Sequence, residues 1–130
     1  MTNDAPLVMV VDDDVDILDA IRFLLEDEGY QVITVERVPD AAALLPAEDA
    51  RPDLIVLDLL LSGQDGRTIC QHLKSSPESR DIPVLMISAH PGARESVMEA
   101  GADAFLAKPF SIDALLDIIA DLFQLNPAGA

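Results

Sequence analysis

Short apolar segments rich in valine, leucine and isoleucine alternate along this chain with segments whose apolar residues recur at helical spacing. Strands that are apolar along their whole length are typical of a sheet covered on both faces. Strands that alternate with helices pair in parallel through right-handed crossovers, which leaves only a few topologies. The alternation therefore predicts an α/β fold in which a doubly wound parallel sheet carries helices on both faces.

The predicted elements follow one another without a repeat, a linker or a low-complexity tract. Five strands are predicted at residues 7–11, 30–35, 54–57, 83–87 and 104–107. Five helices are predicted at residues 14–28, 39–47, 65–75 and 93–101 and after Ser111, which we expect to cap the last one. In that last helix the expected inward side chains are Ile112, Leu115, Leu116, Ile119 and Phe123. This order predicts a single domain over residues 1–130, with a core at about 7–125 and a tail at 126–130.

The charge balance argues against several classes of partner. The chain has 130 residues with 24 acidic and 8 basic side chains, for a formal net charge of −16. A nucleic-acid surface needs clustered basic residues, and an anionic membrane attracts them, so we expect neither partner. The N-terminal segment carries an acid where a signal peptide carries bases, and Cys70 is the only cysteine. These features predict a cytoplasmic protein in a reducing compartment.

Polar side chains capable of chemistry follow four of the five predicted strands. Asp12 and Asp13 follow the first, Asp58 the third, Ser88 the fourth and Lys108 the fifth. In parallel sheets ligands bind outside the carboxyl ends of the strands, where the strand order reverses. Carboxylates crowded there repel one another unless a cation joins them. We therefore predict a site for a hard divalent ion such as Mg²⁺, in which a carboxylate can attack phosphorus.

Four short motifs contain these residues. They are Val10-Val11-Asp12-Asp13, Leu54-Ile55-Val56-Leu57-Asp58 with Gly66 eight residues further on, Met86-Ile87-Ser88-Ala89, and Lys108-Pro109-Phe110. In this order and spacing they resemble the receiver domains of response regulators, and the resemblance covers nearly the whole chain, to about Leu125. It implies a flavodoxin-like, doubly wound five-stranded parallel sheet with strand order 2-1-3-4-5 and five helices.

The resemblance implies a phosphorylation site with a metal ion. Asp58 would be the phosphoacceptor. Asp13 and Asp58 would bind Mg²⁺ directly, with the backbone carbonyl of Leu60 as a third protein ligand and Asp12 acting through water. Mn²⁺ would substitute for Mg²⁺.

The resemblance also implies a switch. Lys108 would contact a phosphoryl oxygen, across a cis peptide bond to Pro109, and Ser88 would swing inward to hydrogen-bond the phosphoryl group. Phe105 resembles the aromatic residue that turns inward when that hydroxyl group moves, although a core aromatic would give the same pattern. The fourth helix, fifth strand and last helix would form the signalling face.

Leu60 and His90 are expected to modulate the lifetime of the acyl phosphate. Both flank the path of the attacking water in the implied arrangement, and an apolar side chain at position 60 would slow hydrolysis. The chain departs from the family at Ser62, where proline is usual, which predicts a more mobile loop but removes no catalytic atom.

The expected function is that of a stand-alone receiver in a two-component phosphorelay rather than an enzyme. Its donor would be a phosphohistidine on a sensor histidine kinase or a histidine phosphotransfer protein; the downstream protein, and whether phosphorylation drives dimer formation, stay open. A phosphohydrolase of the haloacid dehalogenase group would need an acid at Leu60. A receiver-like module that is never phosphorylated would be expected to lack Asp13, Asp58 or Lys108. The remaining alternative is the amino-terminal part of a longer regulator.

Overall fold

The computed structural model describes residues 5–37, 51–61 and 63–125. The strands are β1 (Leu7–Val11), β2 (Gln31–Val35), β3 (Leu54–Asp58), β4 (Leu60–Leu61), β5 (Gln64–Asp65), β6 (Val84–Ser88) and β7 (Ala104–Ala107). The helices are α1 (Val15–Asp27), α2 (Gly66–Ser75), α3 (Arg94–Glu99) and α4 (Ile112–Leu125). The helix predicted at 39–47, Ser62 and the tail at 126–130 lie outside the described residues.

The main sheet is parallel and has the strand order β2-β1-β3-β6-β7. Taken over these five strands, this confirms the predicted order 2-1-3-4-5 and the doubly wound α/β fold. Asp58 pairs with Ile87, and Ser88 pairs with Ala107, so β3, β6 and β7 end together at one edge. The two-residue strands β4 and β5 form a separate antiparallel pair directly after β3.

Helices cover both faces of the sheet, as the apolar strands predict. On one face α1 and α4 share an apolar core of Leu18, Ile21, Leu25, Leu115, Ile119 and Leu122 with the sheet. On the other face α2 and α3 bury Ile69, Cys70, Leu73 and Val97. Alternate residues of β1 face the two cores, with Val8 and Val10 on one side and Met9 and Val11 on the other.

Side-chain caps fix where the two longer helices begin. The Asp14 carboxylate accepts hydrogen bonds from the backbone N–H groups of Asp16 and Ile17, and the Ser111 hydroxyl accepts one from Ala114. The inward position predicted for Ile112 is wrong, because this residue is 48% exposed. It lies in the first turn of α4, ahead of the buried positions that cover the sheet.

An ion pair between Lys74 and Asp103 lies at the opposite edge of the sheet, where the strands begin. The Lys74 ammonium group, near the end of α2, donates to the carbonyl of Ile82 and to the Asp103 carboxylate, each at 2.8 Å. Asp103 also accepts from the backbone N–H of Val84 at 2.8 Å. This cluster joins α2 to the starts of β6 and β7.

Within the described ranges no helix combines the length and the apolar character that crossing a bilayer requires.

Candidate functional site

Three aspartates converge at the carboxyl edge of the sheet. Asp12 and Asp13 directly follow β1, and Asp58 is the last residue of the adjacent strand β3. One carboxylate oxygen of each lies within 4.8 Å of the other two. Asp12 and Asp58 are buried, with 4% and 8% exposure, whereas Asp13 faces solvent. A partly open set of carboxylate oxygens fits a hard cation such as Mg²⁺, which keeps several waters when it binds to proteins.

Lys108 directly follows the edge strand β7 and supplies positive charge to this cluster. Its ammonium nitrogen lies 3.5 Å from Asp12 Oδ2 and 3.6 Å from Asp58 Oδ2. Its backbone N–H donates to the carbonyl of Ser88 at 2.7 Å, and its peptide bond to Pro109 is cis. One ammonium group against two buried carboxylates leaves the cluster with a net negative charge.

The electrostatics of Asp58 reflect this imbalance. Burial raises the pKa of the Asp58 carboxyl above its ordinary value of 3.8, and the negative charge of Asp12 raises it further. Lys108 and the backbone N–H of Leu60 lower the pKa, but they offset only part of the rise. The ionised carboxylate is therefore under-compensated, and an added cation would stabilise it.

The loop after Asp58 depends on a glycine. The backbone N–H of Gly66 donates to the Leu59 carbonyl at 2.6 Å. A Cβ atom at position 66 would lie 2.5 Å from the Asp58 carbonyl oxygen, closer than real Cβ atoms approach, and in tight contact with the Leu59 Cα at 3.0 Å. The start of α2 can therefore pack against the end of β3 only without a side chain at this position. The Leu60 side chain, by contrast, is 54% exposed at the rim.

Ser88 and His90 form the next part of the rim. Ser88 is buried at the end of β6, and its hydroxyl oxygen accepts from the backbone N–H of His90 at 2.9 Å. The carbonyl of His90 accepts from the backbone N–H of Ala93 at 3.0 Å, while the His90 side chain is exposed. The hydroxyl group is thus engaged with the loop that follows β6.

Phe105 lies on β7 and is buried among the apolar residues that α2 and α3 cover, including Val97. This placement fits a core aromatic, which is one of the two roles expected for Phe105.

A polar network beside the site was not predicted. Asp65 caps α2 and pairs with Arg67, and Arg67 Nη1 donates to Ser96 Oγ on α3 at 2.9 Å. The spacing of an acid two residues before an arginine at a helix start is a usable signal for the Asp65–Arg67 pair. The contact with Ser96 joins separate helices, and no local pattern predicts it.

Sequence comparison places the chain among known families. The model of the response regulator receiver domain matches residues 8–120. The chain is 37% identical over 113 residues to the DNA-binding dual master transcriptional regulator RpaA of Synechocystis sp., which covers 85% of this chain and 46% of that protein. It is 38% identical over 106 residues to the phosphate regulon transcriptional regulatory protein PhoB of Escherichia coli, with 80% and 45% covered. The chain spans about half the length of these curated relatives.

Solved structures agree with the sequence comparison. The signal receiver domain of a signal transduction histidine kinase from Syntrophus aciditrophicus has a TM-score of 0.85 and 30% identity, covering 97% of this chain and 96% of that one. The receiver domain of NtrX from Brucella abortus has a TM-score of 0.77 and 34% identity, covering 90% and 98%.

Proposed function

The chain belongs to the response regulator receiver domain family of two-component signalling, and on that premise we propose that Asp58 accepts a phosphoryl group. One observation carries the proposal. A buried carboxylate at the end of β3 stands within 4.8 Å of two further acids and 3.6 Å from the Lys108 ammonium group. Such a group can act as a nucleophile when nearby cations offset the charge of the incoming phosphate.

In the proposed reaction an Asp58 carboxylate oxygen attacks phosphorus. A P–O bond forms while the P–N bond of a donor phosphohistidine breaks, and the released imidazole nitrogen takes up a proton. Lys108, already 3.6 Å from Asp58 Oδ2, moves little to contact a phosphoryl oxygen. Its positive charge stabilises the negative charge that the phosphoryl oxygens carry during transfer.

The residues that would hold Mg²⁺, or Mn²⁺ in its place, are Asp13, Asp58 and the backbone carbonyl of Leu60, with Asp12 acting through water. The fit is supported by the net negative charge of the cluster and by the raised pKa of Asp58. When bound, the ion supplies charge neutralisation at the phosphoryl oxygens.

Signal output is proposed to begin at Ser88. Its hydroxyl group would leave the backbone N–H of His90 and bond to the phosphoryl group, and Phe105, which is already buried on β7, would adjust its packing to that movement. The face formed by α3, β7 and α4 would then favour a second state that a downstream protein binds. The added phosphoryl contacts are what bias the equilibrium between the two states.

The partners follow from this chemistry. The donor is a sensor histidine kinase or a histidine phosphotransfer protein, and this domain makes no direct contact with nucleic acid because its net charge is −16. We further propose that residues 1–130 form one receiver domain that works in the cytoplasm. This domain would assist only its own phosphorylation and dephosphorylation. Leu60 and His90, exposed at the rim, are proposed to set the acyl phosphate lifetime.

Intact-protein mass spectrometry after incubation with acetyl phosphate and Mg²⁺ tests the proposal. The expected result is a mass gain of one phosphoryl group that disappears in Asp58→Asn and on adding a chelator. Asp19→Asn, an exposed position on α1, is the matched control and should retain the gain. A phosphohydrolase would instead consume the donor steadily without an adduct, and that outcome, or an adduct that survives in Asp58→Asn, contradicts the proposal.

A further inference from the structure

Arg67, at the start of α2, is hydrogen-bonded to Asp65 through both its backbone and its side chain. The Asp65 carboxylate accepts the backbone N–H of Arg67 at 2.8 Å and takes the guanidinium group through Nε at 3.0 Å and Nη2 at 2.6 Å. Asp65, in β5, pairs with Leu60 in β4, and Leu60 is two residues after Asp58. These hydrogen bonds tie the guanidinium group to the segment that follows Asp58.

The remaining arm of the same guanidinium group reaches α3. Nη1 donates to Ser96 Oγ at 2.9 Å, and Ser96 Oγ donates to the Ala93 carbonyl at 3.0 Å. In α3 the one fully buried side chain is Val97, and Ala93 at its start provides no side-chain cap. Because Val97 is the one buried side chain of this short helix, the polar contacts of Ser96 add to the apolar contact that places it.

The contacts continue from α3 to Ser88. The backbone N–H of Ala93 donates to the His90 carbonyl at 3.0 Å, and the backbone N–H of His90 donates to the Ser88 hydroxyl oxygen at 2.9 Å. The turn from His90 to Ala93 is thus bonded to Ser88 at one end and to Ser96 at the other. A series of hydrogen bonds, joined through the backbone of Ala93 and His90, links Arg67 to the hydroxyl group of Ser88.

We propose that Arg67 is a positioning residue for Ser88, which it holds in the arrangement bonded to His90 by way of Ser96 and the intervening turn. This inference rests on the proposed role of Asp58, since Ser88 matters for signalling only if a phosphoryl group is there to receive its hydroxyl. Loss of the Arg67–Ser96 contact frees the turn. The hydroxyl group then leaves His90 more readily, and the phosphorylated arrangement is favoured.

Beryllofluoride, which occupies an aspartate as a phosphoryl group does, is the probe. Its apparent affinity in the presence of Mg²⁺ is measured by following amide resonances in two-dimensional NMR. Arg67→Ala and Ser96→Ala are each expected to tighten binding about threefold, the effect of one modest hydrogen bond. The double variant should equal either single variant, because both remove the same contact. Arg22→Ala removes the same charge from an exposed pair with Glu26 on α1 and should bind as the unsubstituted chain does.

Two conservative variants guard against a fold defect. Arg67→Lys keeps a positive charge beside Asp65 but lacks the planar fork that bridges two partners, so it should behave as Arg67→Ala does. Ser96→Thr retains the hydroxyl group and should restore the unsubstituted affinity.

A Ser88→Ala background separates positioning from a general structural role. There the substitution Arg67→Ala should change beryllofluoride affinity no further, because the group through which Arg67 acts is missing. A tightening that persists in this background overturns the inference.

The same titration distinguishes this inference from the proposed function. Absence of binding in the unsubstituted chain, or binding that survives in Asp58→Asn, counts against the role of Asp58. Binding that requires Asp58 but is equal in the unsubstituted chain, Arg67→Ala and Ser96→Ala overturns the inference about Arg67 alone.

Discussion

The ammonium nitrogen of Lys108 lies 3.6 Å from a carboxylate oxygen of Asp58, although the whole of strand β6 separates the strands that carry them. The contact forms because parallel strands end at one edge, where a long side chain can reach across a neighbour. The Asp58 carboxylate at this edge is buried, and the Lys108 ammonium group brings a positive charge close to it.

Asp58→Asn should stabilise the metal-free fold at neutral pH by about 1 kcal/mol. Folding raises the pKa of Asp58, chiefly by burial and then through Asp12, so the ionised carboxylate destabilises the folded state. This destabilisation is absent below the unfolded pKa, near 3.8, and is complete above the folded pKa. Urea unfolding at neutral pH and at a pH below 3.8 checks it. An equal gain at both pH values contradicts the explanation.

Lys108→Met should slow phosphorylation by acetyl phosphate by about tenfold or more, because the ammonium group no longer offsets phosphoryl charge. The variant should also raise the pKa of Asp58, since Lys108 lowers it. The pH profile of the phosphorylation rate should therefore shift to higher pH. Lys74→Met is the matched control at the opposite edge: it loses the pair with Asp103 and should lose stability while keeping the rate. Equal rates in the two variants would count against the role of Lys108.

Gly66→Ala should destabilise the fold by about 2 kcal/mol and impair phosphorylation, because its Cβ atom would overlap the Asp58 carbonyl. Gly92→Ala provides the comparison, since a Cβ atom there meets nothing within 4 Å. Thermal unfolding and the rate of mass gain report the two effects. The prediction is wrong if both glycines tolerate alanine equally.

Much of this site could be predicted because it depends on position along strands. The alternation of elements places Asp12, Asp58 and Lys108 at strand ends, and a parallel sheet brings those ends to one edge. Ile112 shows where periodicity fails: helical spacing identifies a face but not the turn at which the helix begins to cover the sheet. The Arg67–Ser96 contact depends on how two helices sit side by side, which a single sequence does not encode locally.

Leu60→Asn should shorten the half-life of the phosphorylated form by a few-fold, because a polar side chain at the exposed rim would admit and orient water. His90→Glu should also change the half-life, since this exposed side chain stands beside the same rim. Phe23→Asn, at a position 72% exposed on α1, serves as control and should leave the half-life unchanged. Decay of the adduct is followed by mass spectrometry after removal of the donor. Unchanged decay in both rim variants would exclude these positions as modulators.

The central claim is that one carboxylate, Asp58, carries the phosphoryl group. Borohydride reduces an acyl phosphate but leaves a free carboxylate intact, so treatment after phosphorylation marks the modified side chain permanently. Tandem mass spectrometry of the resulting peptides then locates the mark. We expect reduction at position 58 alone, dependent on Mg²⁺ and on the phosphodonor. Reduction at Asp12, at Asp13 or at any other acid, or no reduction at all, would contradict it.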